Sequence, residues 1–143
     1  MKRPKYIFLF LFSSIFVILL ANCRKDQDVI PYVAVDISFS VSDPNFFDLN
    51  SVGGWVYIIG GSRGIIVYKK SSTEFMAYDR HCTYKPSTSC AKVDVDKSQI
   101  TAVDSCCGSK FLLTDGSVVS SPATIPLKSY QTTFDGNVVH IFN

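Results

Sequence analysis

Between residues 33 and 41 every second side chain is apolar: Val33, Val35, Ile37, Phe39 and Val41, with small or polar residues between them. Successive strand side chains point to opposite faces, so this period of two predicts a strand with one face on a core and the other in solvent. Asp43-Pro44-Asn45 ends it, because proline cannot donate to a ladder and Asp-Pro initiates turns. Phe46, Phe47 and Leu49 are expected to pack the following loop onto the sheet. Residues 55–59 (Trp-Val-Tyr-Ile-Ile) and 65–68 (Ile-Ile-Val-Tyr) are β-branched and aromatic runs, the composition strands prefer. Gly60-Gly61-Ser62-Arg63-Gly64 joins them. A glycine-rich loop cradles phosphate where a helix follows it, and here a strand follows. The segment therefore predicts a tight hairpin using positive φ, with Arg63 a solvated turn residue.

The same signals continue to the C-terminus. Phe75-Met76-Ala77-Tyr78 predicts a short strand, and 92–96 and 100–103 a hairpin-like pair. Phe111-Leu112-Leu113 and Val118-Val119 flank an Asp115-Gly116 turn. Residues 130–134 and 138–142 flank Asp135-Gly136-Asn137. Helical periodicity is hard to find after residue 32. Short strands between turn signals at this spacing predict an all-β fold, a small antiparallel sandwich or barrel. His140 alternates with Val139 and Ile141, which sets it on the outer face of the last strand.

The first residues read differently. Lys2, Arg3 and Lys5 precede an apolar run over residues 6–20, closed by Leu20-Ala21-Asn22-Cys23. A basic start, an apolar core and small residues before a cleavage point describe a secretory signal. Its end at a cysteine resembles the lipobox of bacterial lipoproteins, with Asn22 in place of the usual small residue. The run is shorter than the roughly 20 residues a spanning helix needs. The expected organisation is a lipoprotein signal at 1–22, lipidation at Cys23, a flexible charged tether at 23–32 and a β domain at 33–143. Localisation follows: the bacterial cell envelope, held to a membrane by the N-terminal lipid, on the periplasmic face or the cell surface. Three of the 14 basic residues and none of the 12 acidic ones lie in the leader, leaving 11 against 12 and a net charge of −1. Such a domain has no net attraction for nucleic acid.

Export changes how the cysteines read, since thiols outside the cytoplasm tend to be oxidised. With Cys23 assigned to lipid, Cys82, Cys90, Cys106 and Cys107 remain, and four cysteines allow three pairings. A tetrahedral zinc site usually presents cysteine pairs two to four residues apart. The spacings here, Cys-x7-Cys and then Cys-Cys, do not supply them. No Cys-x-x-Cys opens a helix, which argues against a redox-active dithiol.

From Glu74 to Tyr130 the chain carries Cys82-Thr83-Tyr84, then Asp104-Ser105-Cys106-Cys107-Gly108-Ser109, Phe111, Asp115-Gly116, Ser121-Pro122-Ala123, Pro126-Leu127 and Tyr130. The order of these pieces resembles the Rieske iron–sulfur domain, a family with Cys-x-His in a first loop, Cys-x-x-His-Gly-Ser in a second, an aromatic, a turn glycine, and a Gly-Pro-Ala…Pro-Leu…Tyr tail. The resemblance implies a Rieske-like fold with a two-loop cluster-binding subdomain at about 78–127. Laid on the pattern, Cys82 falls on the first thiolate, Tyr84 on the first histidine, Asp104 on the second thiolate and Cys107 on the second histidine. One ligand of four matches. A phenol titrating near ~10 stays protonated at neutral pH, and aspartate is a harder donor than a cluster prefers. Cys90 and Cys106 fall where many members carry a disulfide bracing the loops, so the resemblance implies that bridge. Cys82 and Cys107 would then face each other and form a second pair. A Cys106–Cys107 bridge is the strained alternative. Gly108 and Ser109 match the close of the second loop, where the family's serine donates to the cluster and Ser109 here is expected to cap the loop.

The expected function is a disulfide-braced binding or structural module without a cofactor, serving an unidentified envelope protein. The alternative is an electron-transfer protein holding a 2Fe-2S or unorthodox cluster, as a component of an oxidoreductase. An enzyme in its own right is the weakest class, as no Ser/His/Asp set, paired carboxylates or His-Glu-x-x-His stands out.

Overall fold

A computed structural model describes residues 28–143, in two antiparallel sheets. The signal at 1–22, Cys23 and the start of the tether lie outside the described residues. The first sheet runs β1-β10-β9-β4-β3-β2, from β1 (Asp36–Ser40), β2 (Trp55–Ile58), β3 (Ile65–Lys69), β4 (Phe75–Asp79), β9 (Ser129–Phe134) and β10 (Val138–Phe142). The second runs β5-β6-β7-β8, from β5 (Val93–Val95), β6 (Thr101–Asp104), β7 (Lys110–Leu112) and β8 (Val118–Ser120). The second sheet is thus inserted between β4 and β9, which pair through Ala77↔Tyr130 and Tyr78↔Ser129.

The alternation at residues 33–41 survives in the fold: Val35 and Val41 are buried, while Ala34, Asp36 and Ser38 are exposed. The strand itself is shorter than the pattern, starting at Asp36. β3 shows why its run does not alternate. All five of its residues are buried, Ile66 and Tyr68 in one core and Ile65 and Val67 in another. A strand covered on both faces needs apolar residues at both parities. The core holding Ile66 also takes Tyr78, Val93, Ala102, Phe111 and Leu113, so it lies between the sheets. The opposite core takes Leu49, Phe75, Ala77, Val139 and Ile141.

After β1 a 3-10 turn (Pro44–Asn50) starts on Asp43, whose carboxylate accepts the Asn45 N–H at 2.8 Å. Leu49 is fully buried and Phe46 stacks on Phe39 at 4.1 Å, but Phe47 is 72% exposed. Only two of the three side chains expected there can face the sheet from so tight a turn. His140 lies on the outer face as the pattern requires, its Nε2 2.7 Å from the Asp36 carboxylate across the β1–β10 pair.

Candidate functional site

Three loops meet at the open end of the inserted sheet. The first leaves β4 at Asp79 and carries Cys82 and Cys90; the second joins β6 to β7 and carries Cys106 and Cys107. The third, residues 121–128, returns to β9. Each pair of loops is tied. A Cys90–Cys106 disulfide with Cα atoms 5.9 Å apart joins the first and second, within the span a disulfide bridges. Ser109 Oγ accepts the Ala123 N–H at 2.9 Å, joining the second and third. Thr83 Oγ1 donates to the Ile125 carbonyl at 2.6 Å, joining the first and third.

The base of the first loop is organised by Asp79, a fully buried carboxylate. It accepts the N–H groups of Ser62 (2.6 Å), Arg63 (3.2 Å) and His81 (2.8 Å), and the Tyr130 hydroxyl (2.8 Å). Those donors come from the β2–β3 hairpin, the first loop and β9, so one side chain sets their spacing. Gly61 (φ +60°) makes room for it: a Cβ there would stand 2.6 Å from Asp79 Oδ2 and overlap the Tyr130 hydroxyl. Four donors satisfy a buried charge that would otherwise be costly. Nothing in the one-dimensional pattern marks Asp79, because its partners lie 2 to 51 residues away.

Arg63, expected to be solvated, is instead committed to the first loop. Its guanidinium donates to the carbonyls of Ser89 (2.6 Å) and Thr88 (2.8 Å). The hairpin at residues 60–64 brings it there, and the Thr88 carbonyl also accepts the Ala91 N–H at 3.1 Å. His81 is buried beneath the same loop. Its Nε2 meets the Pro86 carbonyl at 2.7 Å and its Nδ1 the Ser62 hydroxyl at 2.8 Å. A carbonyl only accepts, so Nε2 carries the proton and Nδ1 accepts from Ser62 in the neutral ring. Both nitrogens are therefore used within the scaffold.

The structure brings three of the four predicted ligand positions together. Cys82 Sγ, Cys107 Sγ and a carboxylate oxygen of Asp104 lie within 4.8 Å of one another. The sulfurs are 3.9 Å apart and unbonded in this structure. Cys82 and Asp104 are fully buried; Cys107 is partly exposed. The N–H of Tyr84 points at Cys82 Sγ and that of Ser109 at Cys107 Sγ, each at 3.5 Å. Burial first, and then the neighbouring Asp104 carboxylate, push the Cys82 thiol well above its ordinary range. Asp104 Oδ1 accepts the Cys106 N–H at 2.7 Å and the Cys107 N–H at 3.4 Å, while its Oδ2 has no hydrogen-bond partner. Tyr84 packs against the core between the sheets, with the Lys85 ammonium 5.4 Å from its ring centroid. Gly108 turns the second loop at φ +82°, its N–H donating to the Asp104 carbonyl at 2.7 Å. Ser109 is buried and its hydroxyl oxygen accepts from the Cys107 thiol at 3.1 Å as well as from the Ala123 N–H.

Neither a protein-family model nor a curated protein matches the chain. Solved structures do. The plasma-membrane Rieske protein PetC3 of the cyanobacterium Synechocystis PCC 6803 superposes with a TM-score of 0.55 at 24% identity, over 73% of this chain and 99% of that one. The ferredoxin of carbazole 1,9a-dioxygenase from Nocardioides aromaticivorans IC177 gives 0.49 at 12% identity, over 78% and 98%. The first of these likenesses establishes a Rieske-like fold.

Proposed function

We infer that this domain is a Rieske-like scaffold without a Rieske cluster, whose disulfide-braced loops serve as a contact surface for another protein of the cell envelope. The donor set carries the reading. A Rieske centre takes two thiolates on one iron and two imidazoles on the other, and its raised potential depends on both histidines. The corresponding positions hold Cys82, Tyr84, Asp104 and Cys107. Among the described residues the histidines are His81 and His140. His81 spends both nitrogens on Ser62 and Pro86, and His140 stands on the outer face of β10 beside Asp36. The residues present do not fit the cluster.

What remains is a set of loops held in place by contacts other than metal ligation. The Cys90–Cys106 bridge, Ser109–Ala123 and Thr83–Ile125 tie the three to one another, and Arg63 and Asp79 tie them to the scaffold. Ile125, 62% exposed at the tip of the third loop, gives that surface an apolar contact. The N-terminal lipid at Cys23, through residues 24–32, tethers the domain to a membrane in this reading. Its test is the anaerobically purified full chain: a colourless protein without iron or acid-labile sulfide is expected. Stoichiometric iron and sulfide with visible absorption would overturn it in favour of an electron carrier.

A further inference from the structure

The triad of Cys82, Asp104 and Cys107 has features that replacement of the cluster ligands alone does not require. Asp104 is fully buried, yet Oδ2 has no partner. Among the described residues no lysine, arginine or histidine forms an ion pair with it. A buried carboxylate is normally paired or bound to a metal. The sulfur separation is equally specific. Two thiolates on one tetrahedral zinc ion, each about 2.3 Å from it, stand about 3.8 Å apart, and the observed distance is 3.9 Å. A disulfide needs about 2.0 Å, so closing one requires the loops to move together. Each sulfur also faces a backbone N–H, from Tyr84 or Ser109, the outer-shell contact that orients a metal-bound ligand.

We propose that Cys82, Cys107 and Asp104 bind one zinc ion, with water in the fourth position on the partly exposed side of Cys107. The inference rests on the cluster-free reading of the tip and gives that tip a different ion. Soft thiolates select zinc over magnesium or calcium. Asp104-x-x-Cys107 has the two-residue spacing of a zinc half-site, which counting cysteines alone conceals. Cys82 supplies the third ligand from the first loop, so the ion would cross-link the same loops as the disulfide. On loading, both thiols release their protons to solvent, and two zinc–sulfur bonds and one zinc–oxygen bond replace bonds to water ligands that leave the hydrated ion, one water staying in the fourth position. Occupancy therefore falls in acid.

The test is a titration of the full chain, purified anaerobically without reductant so that Cys90–Cys106 stays closed, and stripped with a chelator. Cobalt(II) is added first and zinc second. One equivalent of cobalt should give sulfur-to-cobalt charge-transfer absorption with tetrahedral visible bands, and zinc should bleach both. Zinc should also protect Cys82 and Cys107 from alkylation, read by mass spectrometry. Cys107→Ser and Asp104→Asn should each weaken binding by more than about tenfold. His140→Ala, which removes the outer-face His140–Asp36 pair, should leave it unchanged. Cys107→Ser substitutes a partly exposed position with a side chain of the same shape, and its far-UV circular dichroism should match the parent's. The proposal is overturned by the absence of cobalt–thiolate absorption, by unchanged binding in Cys107→Ser, or by a Cys82–Cys107 disulfide in the isolated protein. A colourless, iron-free chain that takes no cobalt would sink the zinc site alone. Iron and sulfide in the purified protein would sink the cluster-free reading beneath it.

Discussion

Opening the Cys90–Cys106 bridge should weaken the domain by an amount its loop length sets. The two cysteines are 16 residues apart, and a cross-link of that span removes unfolded-state entropy equivalent to about 3 kcal/mol at 25 °C. The native loops keep their other ties, Ser109–Ala123, Thr83–Ile125 and Arg63 to Thr88 and Ser89. The double variant Cys90→Ala/Cys106→Ala should therefore fold, with its urea midpoint lowered and its slope equal or somewhat steeper, since the unfolded chain without the cross-link is less compact. A reducing agent should bring the parent down to the variant and leave the variant where it was. That second comparison isolates the bridge from the packing of the two side chains. If the loss is below about 1 kcal/mol, or if reductant weakens both proteins equally, the bridge is not what braces the loops.

Two buried phenols give opposite expectations. Tyr130→Phe takes a donor from the buried Asp79 carboxylate and should cost about 1–3 kcal/mol. Tyr78→Phe removes a hydroxyl that has no partner and should be neutral or stabilising by up to about 1 kcal/mol in the same urea assay. Burial holds both phenols above their usual range, reinforced by the hydrogen bond to Asp79 at Tyr130 and the charge of Asp115 near Tyr78. The native state thus keeps protons that the unfolded chain gives up near pH ~10, so the stability they support is complete below that pH and is lost progressively above it, toward the raised native values. Urea midpoints between about pH 8 and 11 should fall accordingly, and the double phenylalanine variant should show a shallower fall. Restoring the ligand pattern with Tyr84→His/Asp104→Cys/Cys107→His should let the anaerobic chain take up iron and sulfide and turn red-brown. A colourless product after reconstitution would mean that the loops no longer hold cluster geometry.

The strands were legible because burial on one face or two leaves a local signature. The alternation before Asp43 marks a half-covered edge strand, and the unbroken run at Ile65 a strand between two cores. The Cys90–Cys106 bridge came through resemblance, not spacing, since four cysteines pair in three ways. The scaffold beneath the loops was not legible. Asp79 reads as an ordinary charged residue ending an apolar run, and its role appears only when two distant segments, the β2–β3 hairpin and β9, close around it. Arg63 sits in a turn that looks solvated until the first loop folds over it. Phe47 looks as apolar as Phe46, but a 3-10 turn cannot aim both at the sheet. Asp104 was marked only as an ill-matched ligand; that one of its oxygens stays unpartnered depends on packing that no spacing reveals.

The direct test of the central claim is low-temperature electron paramagnetic resonance of the full chain after anaerobic incubation with iron and sulfide, desalting and reduction with dithionite. A tip that lacks both imidazoles should retain no cluster and give no signal from a reduced 2Fe-2S centre. A rhombic signal accounting for one spin per chain would contradict the account.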